Sequence, residues 1–264
     1  MVQRSFLERS TTIAFAHRGG GGEAPENTLP AFEAAVALGY RYLETDVHLT
    51  RDGVLLAFHD SSLERLTDRS GRIGALSLDE VRAADAGYGF SPDGGQTFPY
   101  RATGVMVPTL EELLTRWDDV FINIDAKTDD TVIPLITLVQ RLHAFDRVCI
   151  GSFSDRRVAR IRSLAGGRIC SSMGQVAAAM AYATSRTGRM PSFHADCLQV
   201  PQRWGKLRID RRFVNAAHRA GLPVHVWTVD DQAEMEFLLD LGVDGIMTDR
   251  PRLLKEVLEA RSLW

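Results

Sequence analysis

The chain has 264 residues, 45% of them hydrophobic and 25% charged, the composition of an ordinary globular protein long enough for one large domain or two small ones. Its net charge of −3, from 31 basic and 34 acidic side chains, gives no sequence-independent attraction to nucleic acid, so no nucleic-acid partner is expected. No stretch approaches the roughly 18 apolar residues that span a bilayer, and the segment ahead of residue 12 carries Arg4, Glu8 and Arg9; neither stable membrane insertion nor a secretory signal is expected, and the expected location is cytoplasmic.

Ile13–Ala16 reads as a first strand and delivers His17-Arg18 at its end. Gly19–Gly22 follows without the Lys-Ser/Thr of a nucleotide-cradling loop, and reads as backbone freedom beside Arg18. Thr28–Leu38 has apolar residues at helical spacing and stops at Gly39. Tyr42–Leu49 is a strand with Tyr42, Glu44, Asp46 and His48 on one face, and Leu43, Thr45, Val47 and Leu49 on the other. Glu44 and Asp46 then stand about 6–7 Å apart along one face. On an inward face they would repel unless a cation stood between them, and oxygen donors suit Mg²⁺ or Ca²⁺. The plainer alternative is a solvated strand face with scattered acids. Val54–Phe58 makes a hairpin with this strand and presents His59-Asp60.

From Ser61 to Val107 no strand–helix unit is expected, and Gly87–Gly104 is rich in Gly, Pro and aromatic residues. A stretch this long reads as a small inserted subdomain at one end of the fold. Beyond it, Leu110–Arg116 is a helix behind Pro108-Thr109. Strands are expected at Phe121–Asp125, Val148–Ser152, Arg168–Ser172, Asp196–Val200, Val224–Val229 and Gly245–Thr248. Helices at Val132–His143, Asp155–Leu164, Gln175–Ala183, Arg211–Ala220, Asp231–Leu241 and Leu253–Ala260 alternate with them. Repeated strand–helix units at this length predict an α/β fold, a (β/α)₈ TIM barrel over residues 12–262 with an insertion at about 61–107 after the second strand; a doubly wound open sheet is the alternative. Cys149, Cys170 and Cys197 are far apart and odd in number, with neither a disulfide framework nor a C-x-x-C metal site, and read as reduced, buried thiols.

Reactive groups of such a barrel collect at the carboxyl ends of its strands. His17, Arg18, Glu44, Asp46, His59, Asp125, Lys127 and Trp227 all fall at or near such ends. Ala16-His17-Arg18-Gly19-Gly20, Ala24-Pro25-Glu26-Asn27-Thr28, Glu44-Thr45-Asp46-Val47 and Phe58-His59-Asp60 resemble the glycerophosphodiester phosphodiesterases. So do Val107–Leu113, Asn123-Ile124-Asp125-Ala126-Lys127, Val226-Trp227-Thr228-Val229 and Gly245–Pro251, in order along nearly the whole chain. The resemblance implies a metal-dependent hydrolase that cuts glycerophosphodiesters to glycerol 3-phosphate and an alcohol, with the glycerol hydroxyl attacking first and water opening the resulting cyclic phosphate.

The same resemblance implies a single divalent cation, Mg²⁺ or Ca²⁺, on Glu44, Asp46 and Asp125, with His17 and His59 as the acid–base pair. Arg18 can fork onto phosphate oxygens, and Lys127 adds positive charge where negative charge grows. Glu26 is either a glycerol or metal contact or part of a helix start with Asn27 as its cap. Trp227 is either a platform for glycerol or core packing, and His48 reads as structural. Two positions depart from the family pattern: Asp125 stands where Glu is more common, and Asp230 where Asn is common. A lysophospholipid substrate is the alternative on the same site, and would need an apolar groove from Phe98–Met106 or Met190–Trp204. A non-catalytic phosphate-binding barrel is disfavoured because both histidines and all three carboxylates are present, and a zinc amidohydrolase because the first strand ends in His-Arg and not His-x-His.

Overall fold

The computed structural model describes residues 4–8, 11–187, 190–205 and 207–264. The first half runs β1 (Ile13–Ala16), α1 (Leu29–Ala37), β2 (Tyr42–Leu49), β3 (Leu55–Ala57), α2 (Leu78–Arg82), α3 (Leu110–Arg116), β4 (Phe121–Ala126) and α4 (Val132–Arg141). The second half runs β5 (Val148–Gly151), α5 (Asp155–Leu164), β6 (Cys170–Ser171), α6 (Gln175–Ser185), β7 (Leu198–Pro201), β8 (Arg203–Trp204), β9 (Leu207–Arg208), α7 (Arg211–Arg219), β10 (Val224–Trp227), α8 (Gln232–Leu241), β11 (Gly245–Thr248) and α9 (Pro251–Ala260).

The parallel strands lie in the order β6-β5-β4-β2-β1-β11-β10-β7, with β3 antiparallel on β2. A parallel bridge between Ser172 and Cys197 joins the two ends of that path. The sheet is therefore curled on itself as a TIM barrel, as the alternation of strands and helices predicts, and not an open doubly wound sheet.

Outward strand residues meet the helices in two apolar layers. Leu43, Ile122, Ile124 and Ile150 pack with Phe32, Leu135, Val139 and Ile161; Val200, Val224, Val226 and Ile246 pack with Phe213, Leu238 and Leu254. Inside the barrel, Phe15, Tyr42 and Met247 fill the amino-terminal end together with the three cysteines. Phe6, from a 3₁₀ turn at Ser5–Leu7, closes that end, and its carbonyl accepts a 2.7 Å hydrogen bond from the Tyr42 hydroxyl. This apolar plug leaves the opposite, carboxyl end for polar side chains.

Two differences from the expected elements have local causes. β6 shrinks to two residues because Gly166 and Gly167 hold positive φ and the Arg168 N–H still bonds back to Ala165, so the chain is turning where a strand was expected. The stretch after β3, where no strand–helix unit was expected, holds one short helix that was not foreseen, α2, started by a capping box in which Ser77 and Glu80 satisfy each other's backbone N–H groups. Ser-x-x-Glu ahead of an apolar residue is a readable helix start. Around α2, Leu63, Ile73, Val81, Ala84, Ala86, Val105 and Val107 build an apolar cluster against Leu56 and Phe58. Among the described residues no helix is long and apolar enough to cross a membrane.

α3 is capped in the same way, with Thr109 and Glu112 as the pair. Thr109→Ala removes the acceptor of the Glu112 N–H and should lower stability by about 1 kcal/mol, read as a lower urea midpoint at unchanged m-value.

Candidate active site

The carboxyl ends of β1, β2, β4, β10 and β11, with the loop after β3, bring the expected polar residues to one cleft. His17, Arg18, Glu44, Asp46, His59, Asp125, Lys127 and Trp227 all line it. After β1 the chain turns sharply through His17–Gly19, with Arg18 and Gly19 both at positive φ. Gly19 is required there: a Cβ would meet the Ala31 Cβ at 2.8 Å and the Phe32 nitrogen at 2.9 Å. The turn brings the Arg18 N–H onto the Glu44 carboxylate at 3.1 Å and aims its guanidinium along the rim.

β2 and β4 pair with Asp46 opposite Asp125 and Glu44 opposite Asn123. Lys127, at the end of β4, sets its ammonium 2.7 Å from both Asp46 Oδ1 and Asp125 Oδ2. Burial pushes the Asp46 carboxyl up, but Lys127 and Arg18 outweigh it and hold it low. Asp125 is held above the usual carboxylate range, first by burial. Burial and the Asp46 charge push Glu44 up to about 7. Three acids with one ammonium between two of them remain short of positive charge at Glu44.

Each histidine is oriented by a carboxylate. His17 Nδ1 is 2.7 Å from Asp249 Oδ1 and His59 Nδ1 is 2.6 Å from Asp60 Oδ1. A carboxylate only accepts, so both Nδ1 atoms carry the hydrogen, and Nε2 presents a lone pair whenever the ring is neutral. His17 Nε2 is 3.7 Å from Glu44 Oε2. Burial lowers the His17 pKa, but Glu44 and Asp249 together raise it above that of an ordinary histidine. His48 donates from Nε2 to the His59 carbonyl at 3.0 Å, which fixes the backbone that carries His59.

Arg18 Nη1 donates to Glu26 Oε1 at 2.9 Å. Its Nε lies 3.1 Å from Asp46 Oδ2 but off the axis of a hydrogen bond, so this buried N–H has no aligned acceptor among the described residues. Glu26 also receives a two-pronged contact from Arg65, at 2.9 and 2.8 Å, and Arg65 reaches Asp60 at 2.6 Å. Trp227 meets Phe153 edge to face at 5.6 Å, on the apolar side of the cleft, where Trp204 also stands.

Of the two alternatives for the stretch around Glu26, the helix start capped by Asn27 is not the one formed: Thr28 occupies the cap position of α1. Asn27 is buried at positive φ (56°), donates from Nδ2 to Asp46 at 3.1 Å and accepts from the Thr45 hydroxyl at 2.7 Å. Its side chain is turned into the site because the tight turn after β1 leads the chain past β2 before the helix begins.

Sequence reasoning also missed Asp249, Arg65 and Phe153. Asp249 directly follows β11, the position at which the other site residues stand on their strands, so the strand-end rule could have found it. Asp230 accepts from the Asp249 N–H at 2.8 Å and the Thr248 hydroxyl at 2.9 Å, standing behind Asp249 and not in the cleft. Arg65 lies in the insertion, where no periodicity points toward the site. Of the two stretches expected to offer an apolar groove, Met106 is exposed and does not line the cleft, Met190 and Phe193 pack against the helical layer, and the second stretch reaches the cleft through Gln199, Pro201 and Trp204.

The glycerophosphoryl diester phosphodiesterase family matches residues 17–253. The chain is 40% identical over 267 residues to "Probable glycerophosphodiester phosphodiesterase 2" of Mycobacterium tuberculosis (strain ATCC 25618 / H37Rv), spanning 98% of this chain and 95% of that one. It is 30% identical over 251 residues to the glycerophosphodiester phosphodiesterase of Caldanaerobacter subterraneus subsp. tengcongensis, spanning 92% of this chain and 96% of that one. The crystal structure of glycerophosphodiester phosphodiesterase from Agrobacterium tumefaciens str. C58 superposes with a TM-score of 0.73 at 28% identity, over 92% of this chain and 99% of that one. With the barrel, the rim of acids and bases and a match over nearly its whole length, the chain belongs to the glycerophosphoryl diester phosphodiesterase family.

Proposed function

We propose that the protein hydrolyses glycerophosphodiesters to glycerol 3-phosphate and an alcohol, with His17 and His59 as its proton carriers. The observation that carries this reading is the pair of imidazoles lining one cleft, each held at Nδ1 by its own carboxylate, with a buried Arg18 N–H beside them that lacks an aligned acceptor. A phosphate oxygen would satisfy that N–H, and a guanidinium matches phosphate geometry.

The donor set fits a hard divalent cation: the carboxylates of Glu44, Asp46 and Asp125 are oxygen ligands, and Glu44 is pushed up to about 7 by burial and its acidic neighbour. Those three residues would hold one Mg²⁺ or Ca²⁺, which when bound supplies charge that polarises a phosphoryl oxygen. Arg18 and Lys127 bind the phosphate and offset its growing negative charge. One imidazole takes the proton of the glycerol hydroxyl as that oxygen bonds to phosphorus. The other, protonated, gives its proton to the departing alkoxide as the phosphorus–oxygen bond to the alcohol breaks. Water then opens the cyclic phosphate with the roles reversed. Trp227 and Phe153 form the apolar wall against which the glycerol carbons lie. Glu26, whose two oxygens are held by Arg18 and Arg65, fixes Arg18 from behind the cleft.

A second reading, a lysophospholipid substrate, is favoured by one feature: Phe153 is 53% exposed beside Trp227 at the cleft. A panel crossing head groups with the presence of an acyl chain separates the two. Glycerophosphocholine and glycerophosphoethanolamine should release glycerol 3-phosphate, with kcat/KM well above that for lysophosphatidylcholine; release of lysophosphatidic acid alone would overturn the first reading in favour of the second.

A further inference from the structure

One guanidinium ties together the supports of two residues that line the cleft. Arg65, from the insertion, sets Nε 2.6 Å from Asp60 Oδ2 and Nη2 3.0 Å from Asp60 Oδ1, a fork along one side of the group. Its end forks onto Glu26, with Nη1 2.9 Å from Oε2 and Nη2 2.8 Å from Oε1. Both oxygens of each carboxylate are thereby fixed. The last torsion of an aspartate or glutamate is otherwise broad, so a single contact would leave each carboxylate free to swivel.

Each carboxylate has a second partner. Asp60 Oδ1 also holds His59 Nδ1 at 2.6 Å, and Glu26 Oε1 also accepts from Arg18 Nη1 at 2.9 Å. His59 and Arg18 line the cleft, whereas Arg65, Glu26 and Asp60 lie outside its lining. The insertion in turn holds Arg65. Leu63 and Leu66 pack in its apolar cluster. The Leu63 carbonyl accepts from the Leu66 and Thr67 N–H groups at 3.3 and 3.1 Å and from the Thr67 hydroxyl at 3.0 Å. Arg65 therefore rides on a closed turn that returns its side chain over Asp60. As a source of stability the network counts for little, because Arg65 is about half exposed and water screens such pairs. Its geometry counts for more.

We propose that Arg65 is a positioning residue for the reaction: from outside the cleft it fixes the His59 ring through Asp60 and the Arg18 guanidinium through Glu26. The inference rests on the reading of His59 as a proton carrier and Arg18 as the phosphate clamp. Because one rigid group holds both, it sets their distance from each other, and a displacement of about 1 Å is enough to cost about 10²-fold in rate. The insertion thereby has a task in catalysis without touching the substrate.

Arg65→Ala should lower kcat by about tenfold, through His59, and raise KM by about tenfold, through Arg18, with the thermal midpoint little changed. A single ammonium cannot fork onto two carboxylates, so Arg65→Lys should also lose at least about tenfold in kcat/KM. Arg51→Ala removes contacts to Glu80 and the Ala75 carbonyl elsewhere in the insertion, and should leave both constants unchanged. In a protein already carrying Glu26→Ala and Asp60→Ala, Arg65→Ala should cost under about threefold more, since nothing remains for Arg65 to hold. Should Arg65→Ala fail to fold, Arg65→Lys carries the same comparisons. Full activity in Arg65→Lys, an undiminished loss in the doubly altered background, or the same loss from Arg51→Ala would overturn the proposal. If the unaltered protein releases no glycerol 3-phosphate, the proposed function fails and crystal structures alone judge Arg65. His59 and Arg18 should leave their positions in the Arg65 variant, and side chains that stay within about 0.5 Å would overturn the inference.

Discussion

Replacing His17 with glutamine should lower kcat by about 10²- to 10⁴-fold, the range of a lost acid–base group, while the fold stays intact. Glutamine is close to histidine in size, and its amide can still donate toward Asp249, which sits 2.7 Å from His17 Nδ1. It cannot exchange a proton near neutral pH. His17 stands on a turn whose shape comes from Arg18 and Gly19 at positive φ, so the backbone has no reason to follow the side-chain change. Initial rates of glycerol 3-phosphate release, paired with the thermal midpoint of each protein, check this. A loss under about tenfold with an unchanged midpoint would remove His17 from proton transfer.

The largest effect on stability should come from the other end of the barrel. Phe6→Ala should cost about 3–5 kcal/mol, as truncation of a buried aromatic does. Phe6 is 1% exposed. It meets the Tyr42 ring edge-on at 5.2 Å, Phe121 edge-on at 5.8 Å and Phe15 at 6.2 Å. The neighbouring strands cannot collapse into the space, since their spacing is set by hydrogen bonds within the sheet. Urea unfolding should give the loss as a lower midpoint. A loss under about 1 kcal/mol would mean that the segment ahead of β1 does not plug the barrel in solution.

Where a rule of local chemistry applied, the fold was readable. Tyr42–Leu49 puts Tyr42, Glu44, Asp46 and His48 on one face and mostly apolar residues on the other, and the structure buries both faces, so Glu44 and Asp46 line the cleft and the solvated-face alternative does not hold. Thr109 and Glu112 announce α3. β6 was overextended because Arg168 and Ile169 look like strand residues, while the preceding Gly166-Gly167 turn spends them on reversing the chain. Residues at strand ends were readable as a rim once the barrel was assumed, which is why His17, Glu44, Asp46, Asp125 and Lys127 come together in one cleft.

What escaped depends on contacts distant in sequence. Arg65 reaches Glu26 and Asp60 from an insertion with no regular period. Asn27 looks like a helix cap in sequence, but the turn at Arg18 redirects it to Asp46. The cysteines are the sharpest case: they look scattered along the chain, yet each stands about one strand–helix unit from the next, which is how neighbours in a parallel barrel are spaced. Only curling of the sheet makes that spacing mean proximity.

The central claim is hydrolysis of a glycerophosphodiester at a carboxylate-held cation, and metal depletion tests it most directly. Purified protein should release glycerol 3-phosphate from glycerophosphocholine, lose that activity by at least about 10²-fold after EDTA treatment and desalting, and regain it on addition of Mg²⁺ or Ca²⁺. Full activity in the stripped protein, or no glycerol 3-phosphate with either ion, would contradict it.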